Sequence, residues 1–164
     1  MRTSELIDVV GRSGGVIRRR RLIAAGATKR EIAAAVASGA VLRLREGVYA
    51  LASTDSLILE SARHGGEVAC VSALRAHGVW VLEKPGRLHV WLGGKGRRHE
   101  HLLCRCIDHH DSGGAAFGIA RIALAVLQAA GCCDDECFFA AFESAWNKRL
   151  LTRTDREWIR RTVP

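Results

Sequence analysis

Residues 18–51 read RRRRLIAAGATKREIAAAVASGAVLRLREGVYAL. The decisive point is Thr28. Its hydroxyl can accept from an amide in the first turn of a helix while Glu31, three residues on, reaches back to the Thr28 amide, so Thr28-Lys29-Arg30-Glu31 forms a capping box and starts a helix. Ile32 and Val36 lie one turn apart and face a core, whereas Lys29, Arg30, Ala33, Ala34 and Ala37 fall on the other side or its borders. Gly39 supplies the stop, because glycine adopts a left-handed conformation at little cost.

Working outward, Leu22 and Ile23 before Gly26 mark a second short amphipathic helix, joined to the first by the turn Gly26-Ala27. Downstream, Val41, Leu42 and Leu44, then Val48, Tyr49 and Leu51, flank Arg45-Glu46-Gly47, which signals a β-hairpin. Thr3 or Ser4 can cap an earlier helix carrying Leu6, Ile7, Val9 and Val10. Three helices and a hairpin in this order predict a winged helix-turn-helix over residues 1–52, with the hairpin as its wing.

The charge is distributed to match. The 164-residue chain carries a net charge of +8. Residues 1–52 hold ten Lys and Arg against four Asp and Glu, while residues 53–164 hold fifteen against thirteen. A basic face beside a near-neutral remainder suits a polyanion, and double-stranded DNA is the expected partner. The helix that starts at Thr28 is the expected reading element, with Thr28, Lys29 and Arg30 at its first turn and Ala34 allowing close approach to a groove floor. Arg18, Arg19, Arg20 and Arg21 span more than one helical turn, so about two are expected to grip phosphates. Arg43 and Arg45 alternate along the hairpin strand and are expected to share a face beside the duplex. Lys95, Arg97 and Arg98, in a glycine-rich loop that lacks P-loop spacing, form a candidate additional contact.

Beyond residue 52 the pattern predicts a small α+β domain over 53–164. A helix is expected near Leu57–His64, and another capped by Ser72 and ending at Gly78. Arg87–Leu92 alternates as a strand, and Leu102–Ile107 is its expected antiparallel partner across the 93–98 loop. Helices follow over Ile119–Ala130 and Asp134–Asn147, with a last one opened by the capping box Thr154-Asp155-Arg156-Glu157. A winged helix of about 50 residues is marginal alone, so it is expected to dock on this second part.

The runs GGVIRRRRLIAAGATKREIAAAVASGAVLRLREGVYAL, VACVSALRAHGV, LHVWL and FESAWNKRLLTRTDREWIRR resemble the AbiEi-type antitoxin family of type IV toxin-antitoxin systems. The resemblance implies an N-terminal winged helix that binds repeats in its own promoter, and a C-terminal part involved in antitoxicity against a cognate toxin acting indirectly. Many relatives carry a further Vsr-like endonuclease domain that would begin near Pro164, so no nuclease activity is expected. A stand-alone phage or mobile-element repressor, or a protein-interaction module related to the Vsr-like proteins, are the alternatives.

Other chemistries are weaker in the sequence. Cys70, Cys104, Cys106, Cys132, Cys133 and Cys137 read as reduced thiols, and in the absence of a CxxC pair neither metal nor other cofactor is expected. The metal site to be weighed rests on His99, His101, Cys104, Cys106, His109 and His110, which crowd a short stretch, with Cys132, Cys133 and Cys137 further on; four thiolates could converge if Cys104 and Cys106 on a strand face met Cys133 and Cys137 on a helix face. Asp108-His109-His110-Asp111 could serve acid–base work but reads as a loop, and no catalytic residue is assigned. Trp80, Trp91, Trp146 and Trp158 are expected mainly in the core, with an exposed anchor for a toxin or a second copy as the other reading. No apolar run approaches the roughly 20 residues of a membrane span, and a cytoplasmic, non-membrane location is expected.

Overall fold

A computed structural model describes residues 1–82 and 86–163. The architecture is α+β. Among the described residues there are eight helices and two three-stranded sheets.

The first 50 residues run α1 (Thr3–Arg12), β1 (Val16–Arg18), α2 (Arg19–Ala24), α3 (Lys29–Ala37), β2 (Leu42–Arg45) and β3 (Val48–Ala50). The strands form an antiparallel sheet in the order β1-β3-β2. Central β3 is buried along its whole length because both faces of the sheet are covered. On one face Ile17 and Tyr49 join Leu6, Val10, Leu22, Ile32, Ala35 and Val41 in a core shared with the three helices. On the other, Val16, Val48 and Ala50 pack against Ala62, Ile58 and Leu59 of α4 (Ser56–His64).

Local chemistry sets the helix ends. The Thr28 hydroxyl accepts from the Glu31 amide at 3.2 Å, and Glu31 accepts from the Thr28 amide at 2.7 Å, so the expected capping box forms. Gly39 has φ +75°. The first helix begins differently from expectation: Arg2 is its N-cap residue, and Glu5 accepts from the Arg2 amide at 2.9 Å, so neither Thr3 nor Ser4 caps it. Residues 53–55 are tied to the elements on both sides. Asp55 caps α4 by accepting from the Leu57 amide at 2.8 Å, and Thr54 donates to the Gly15 carbonyl at 3.1 Å.

The rest of the chain contains β4 (Glu67–Val68), α5 (Cys70–Ala76), β5 (His89–Trp91), β6 (Ile107–His109), α6 (Ile122–Ala130), α7 (Asp135–Asn147) and α8 (Arg153–Thr162). Val68, Val71, Leu74, Val126, Ala141 and Ile159 are among the side chains at the centre of their common core. Three sequence expectations are corrected here. β6 runs parallel to β5, not antiparallel, because residues 92–106 cross over rather than turn back as a hairpin; the strand starts at Ile107 instead of Leu102. Ser72 lies inside α5, where its hydroxyl accepts from the His89 amide at 3.1 Å instead of capping the helix. The last helix opens on Thr152 and Asp155, two residues before Thr154 and Glu157; Thr152 accepts from the Asp155 amide at 3.1 Å, and this phase turns Ile159 into the core. No described helix is long and apolar enough to cross a membrane.

Gly15 shows how tightly α1, β1 and the 53–55 turn are joined. Its φ is +84°, and a Cβ there would meet the Thr54 hydroxyl oxygen at 2.2 Å. Gly15→Ala is expected to lower the stability of the full chain by about 2 kcal/mol, from left-handed strain plus steric displacement. Urea unfolding against the parent chain, with Gly14→Ala as the unobstructed comparison, measures it.

Candidate nucleic-acid interface

The outer face of α3 is the centre of the candidate interface. Ile32 and Ala35 are buried, whereas Lys29, Arg30, Ala33, Ala34 and Ala37 are all exposed. Small side chains leave the helix backbone accessible along the middle of that face, with cations at its N-terminal end. Arg19, Lys29 and Arg43 come together around one shallow hollow of about 310 Å³ that is floored by Ala33, Val36, Ala37 and Tyr49. Arg19 is brought there by the sheet: its amide donates to the Gly47 carbonyl at the hairpin tip at 2.8 Å.

The four-arginine run divides, as its length requires. Arg19 points to the α3 hollow, Arg20 and Arg21 border a cleft with Ala115, Ala116 and Phe117, and the Arg18 guanidinium lies 4.7 Å from the Phe117 ring centre.

Arg43 and Arg45 do not share a face, contrary to expectation. Arg43 is opposite Tyr49 and Arg45 is opposite Val48, so β2 carries one extra residue, Leu44, between the two pairs. Such a bulge interrupts the two-residue alternation. Arg43 therefore stays exposed beside α3, while Arg45 turns toward α4 and donates through Nε to the Ala62 carbonyl at 3.1 Å.

Arg45 and Arg18 instead border a second hollow of about 280 Å³ with Lys95, Gly96, Arg97 and His99. This is where the glycine-rich loop meets the first sheet. Burial, and then the neighbouring Arg20 for Arg18 and Arg18 for Arg45, lowers the pKa of both guanidinium groups. Burial and then Arg45 likewise lower that of His99. Cations held together in this way form a site whose repulsion an anion would relieve. Arg98 is outside the hollow, exposed and paired with Glu100 at 3.0 Å.

Elsewhere the structure gathers residues that were distant in sequence. Cys104 and Cys106 do not meet Cys133 and Cys137; they meet His64 and His101, while Cys70 and Cys132 meet His89 and His109. Asp108 and His109, neighbours on β6, point to opposite sides of the strand, so Asp108 binds His64 at 2.6 Å and His109 binds His89 at 3.0 Å. Burial, then the adjacent cationic groups His109, Arg75 and Arg87, lowers the His89 pKa to about 4. Burial and then Cys104 push the Cys106 thiol up to about 12. The tryptophans are less buried than expected: Trp80 and Trp146 are 60% and 47% exposed. Trp146 and Phe139 belong to an open groove of about 1060 Å³ between α7 and α8.

Neither protein-family models nor curated protein sequences give a match to this chain.

Glu31 ties the start of α3 to the start of the chain. Its carboxylate is paired with the Met1 ammonium and also accepts from the Thr28 amide and hydroxyl, contacts that in this order hold its pKa down to about 2. A carboxyl depressed in the folded state stabilises it above the unfolded pKa, and this contribution is lost as pH falls from about 4.5 toward 2. Glu31→Gln is expected to remove that component, so that the stability difference between parent and variant shrinks across this window. Parallel urea titrations at several pH values check it.

Proposed function

We propose that the protein is a sequence-specific double-stranded-DNA-binding repressor, with residues 1–52 acting as a winged helix-turn-helix. The observation that carries the reading is the outward face of α3: five exposed, small or basic residues on a capped helix, with Arg19 and Arg43 beside Lys29 at one edge. The order α1-β1-α2-α3-β2-β3 with sheet order β1-β3-β2 supports it. In this reading α3 enters the major groove. Lys29 and Arg30 reach base edges from its first turn, and the alanines admit the backbone to thymine methyl distance.

Arg19 and Arg43 then lie against the flanking phosphates. Arg18, Arg45, Lys95 and Arg97 provide a second anion contact at the junction with the glycine-rich loop, which extends the footprint beyond the first 52 residues. The role of an autoregulating antitoxin, as the AbiEi-type resemblance implies, is the specific form of this proposal. A stand-alone repressor uses the same surface. No catalytic step is part of either. The α7–α8 groove, with Phe139 63% exposed, supports a further role in holding a second copy or a protein partner when adjacent DNA repeats are occupied.

Lys29→Ala and Arg30→Ala are expected to relax base preference, each costing about 1–3 kcal/mol on the preferred duplex and little on random DNA. Arg43→Ala is expected to weaken both duplexes alike and to reduce the salt dependence by about one phosphate contact. Selection of a binding site from random duplexes, followed by competition titrations at two salt concentrations, tests the set. Sequence preference unchanged by the α3 variants would remove α3 as the reading element. On duplexes with one and two copies of the selected site, the full chain is expected to occupy the second copy cooperatively.

A further inference from the structure

The segment 101–106, His-Leu-Leu-Cys-Arg-Cys, has no helix or strand within it. Its apolar residues face water: Leu102 and Leu103 are 90% and 89% exposed. The side chains withdrawn from solvent are His101, Cys104 and Cys106. A tight turn, in which the Cys104 amide donates to the His101 carbonyl at 3.0 Å, puts the first two on one side. Leu103, between them, is held at φ +62°, a left-handed conformation that a leucine rarely adopts. A loop that exposes its leucines, half-buries imidazole and thiols, and bears this strain is organised by something other than apolar packing.

The fourth member comes from α4. His64 is 3% exposed at the last turn of that helix, and its Nδ1 lies 3.1 Å from Cys104 Sγ. One potential ligand atom from each of His64, His101, Cys104 and Cys106 lies within 4.8 Å of all the others. Tetrahedral zinc with Zn–S of about 2.3 Å and Zn–N of about 2.0 Å places its ligand atoms about 3.3–3.8 Å apart, so the four need only a small contraction.

Both imidazoles are oriented as metal ligands are. His64 Nε2 is bound to Asp108 at 2.6 Å, which leaves Nδ1 for the cluster. His101 Nδ1 faces Glu60 at 3.5 Å, and its Nε2 is buried with no hydrogen-bond partner among the described residues. The Asp108 carboxylate fixes the His64 ring and its tautomer, and Glu60 places a second carboxylate behind the His101 ring.

We propose that His64 Nδ1, His101 Nε2, Cys104 Sγ and Cys106 Sγ bind one zinc ion in a closed, structural Cys2His2 site that clamps the 101–106 segment to the end of α4. A donor set of two thiolates and two imidazoles selects zinc over magnesium or calcium. Four protein ligands leave no open position for catalysis. On binding, the two thiols lose their protons to solvent and the ion's double charge is neutralised by the two thiolates. The clamp lies next to the basic hollow: the His99 amide donates to the His64 carbonyl at 2.7 Å, two residues beyond Arg97. This replaces the expectation of isolated reduced thiols, which rested on the missing CxxC pair.

The test is cobalt substitution of the untagged full chain, stripped with chelator under reducing conditions, in a Cys132→Ser background that removes a thiol of the second cluster. One equivalent of Co2+ is expected to give tetrahedral d–d bands with thiolate charge transfer, displaced by Zn2+. Cys104→Ser should roughly halve the charge-transfer intensity, and Cys133→Ser should leave it unchanged. Glu60→Gln and Asp108→Asn, which keep every ligand, should weaken zinc by about 10–100-fold in competition with a chromophoric chelator. Those two variants keep the proposal testable if the cysteine variant does not fold. Absence of a tetrahedral spectrum in the Cys132→Ser background, charge transfer insensitive to Cys104→Ser, or zinc affinity unmoved by both carboxylate variants would each overturn it.

Discussion

Burial of β3 on both faces is the constraint from which the N-terminal half of the structure follows. A three-residue strand has little stability of its own, and full burial of an aliphatic side chain contributes only about 1.5–3 kcal/mol. Tyr49 is committed to the helical side and Val48 and Ala50 to α4. With that strand central, β1 and β2 must flank it, and the two short helices must close over Tyr49. α3 then has one buried edge and no second layer to cover the other. Its exposed face is a result of this packing, and so is the firm seating of α4, whose far end delivers His64 to the second sheet.

The electrostatics follow the same frame. Arginines that would repel one another in an extended run are separated by the change from β1 to α2 at Arg18 and Arg19. Arg18 meets the Phe117 ring and Arg19 the α3 hollow, while on β2 Arg45 meets a backbone carbonyl beside Arg18 and Arg43 meets solvent. Half-buried guanidinium groups keep their charge at neutral pH even with a lowered pKa, since an arginine ordinarily titrates far above that range. The first sheet therefore presents positive charge on two sides, next to α3 and next to the glycine-rich loop.

Up to Ala50 the helices and the β2–β3 hairpin were legible in the sequence because their signals are local, whereas the three-residue β1, which exists only through its pairing with β3, was not foreseen. The Thr28–Glu31 box, Gly39 and the Arg45-Glu46-Gly47 turn each act within four residues, and each is found in place. The Arg43–Arg45 relation was misread because a bulge is decided by the partner strand, where Val48 and Tyr49 are already committed to opposite faces. The parallel pairing of β6 was hidden for a similar reason: a crossover of 15 residues leaves no periodic mark. The histidine–cysteine groupings were the least legible. His64 and Cys104 are 40 residues apart and meet only because α4 and the 101–106 segment end at the same place; the crowding of His99, His101, Cys104 and Cys106 in one short stretch was the signal in reach.

The bulge at Leu44 has a consequence for how this surface can change over generations. Val48 and Tyr49 fix the two arginines on opposite faces, so loss of the Leu44 codon would make Arg43 and Arg45 adjacent and plain alternation would keep one cation beside α3 and the other beside α4. A point substitution at either arginine removes a cation, whereas an in-frame deletion of Leu44 would take away the bulge and leave the pairing with β3 intact. Closely related chains that differ by this one residue in the hairpin would thus share the layout of their basic surface despite the difference in length.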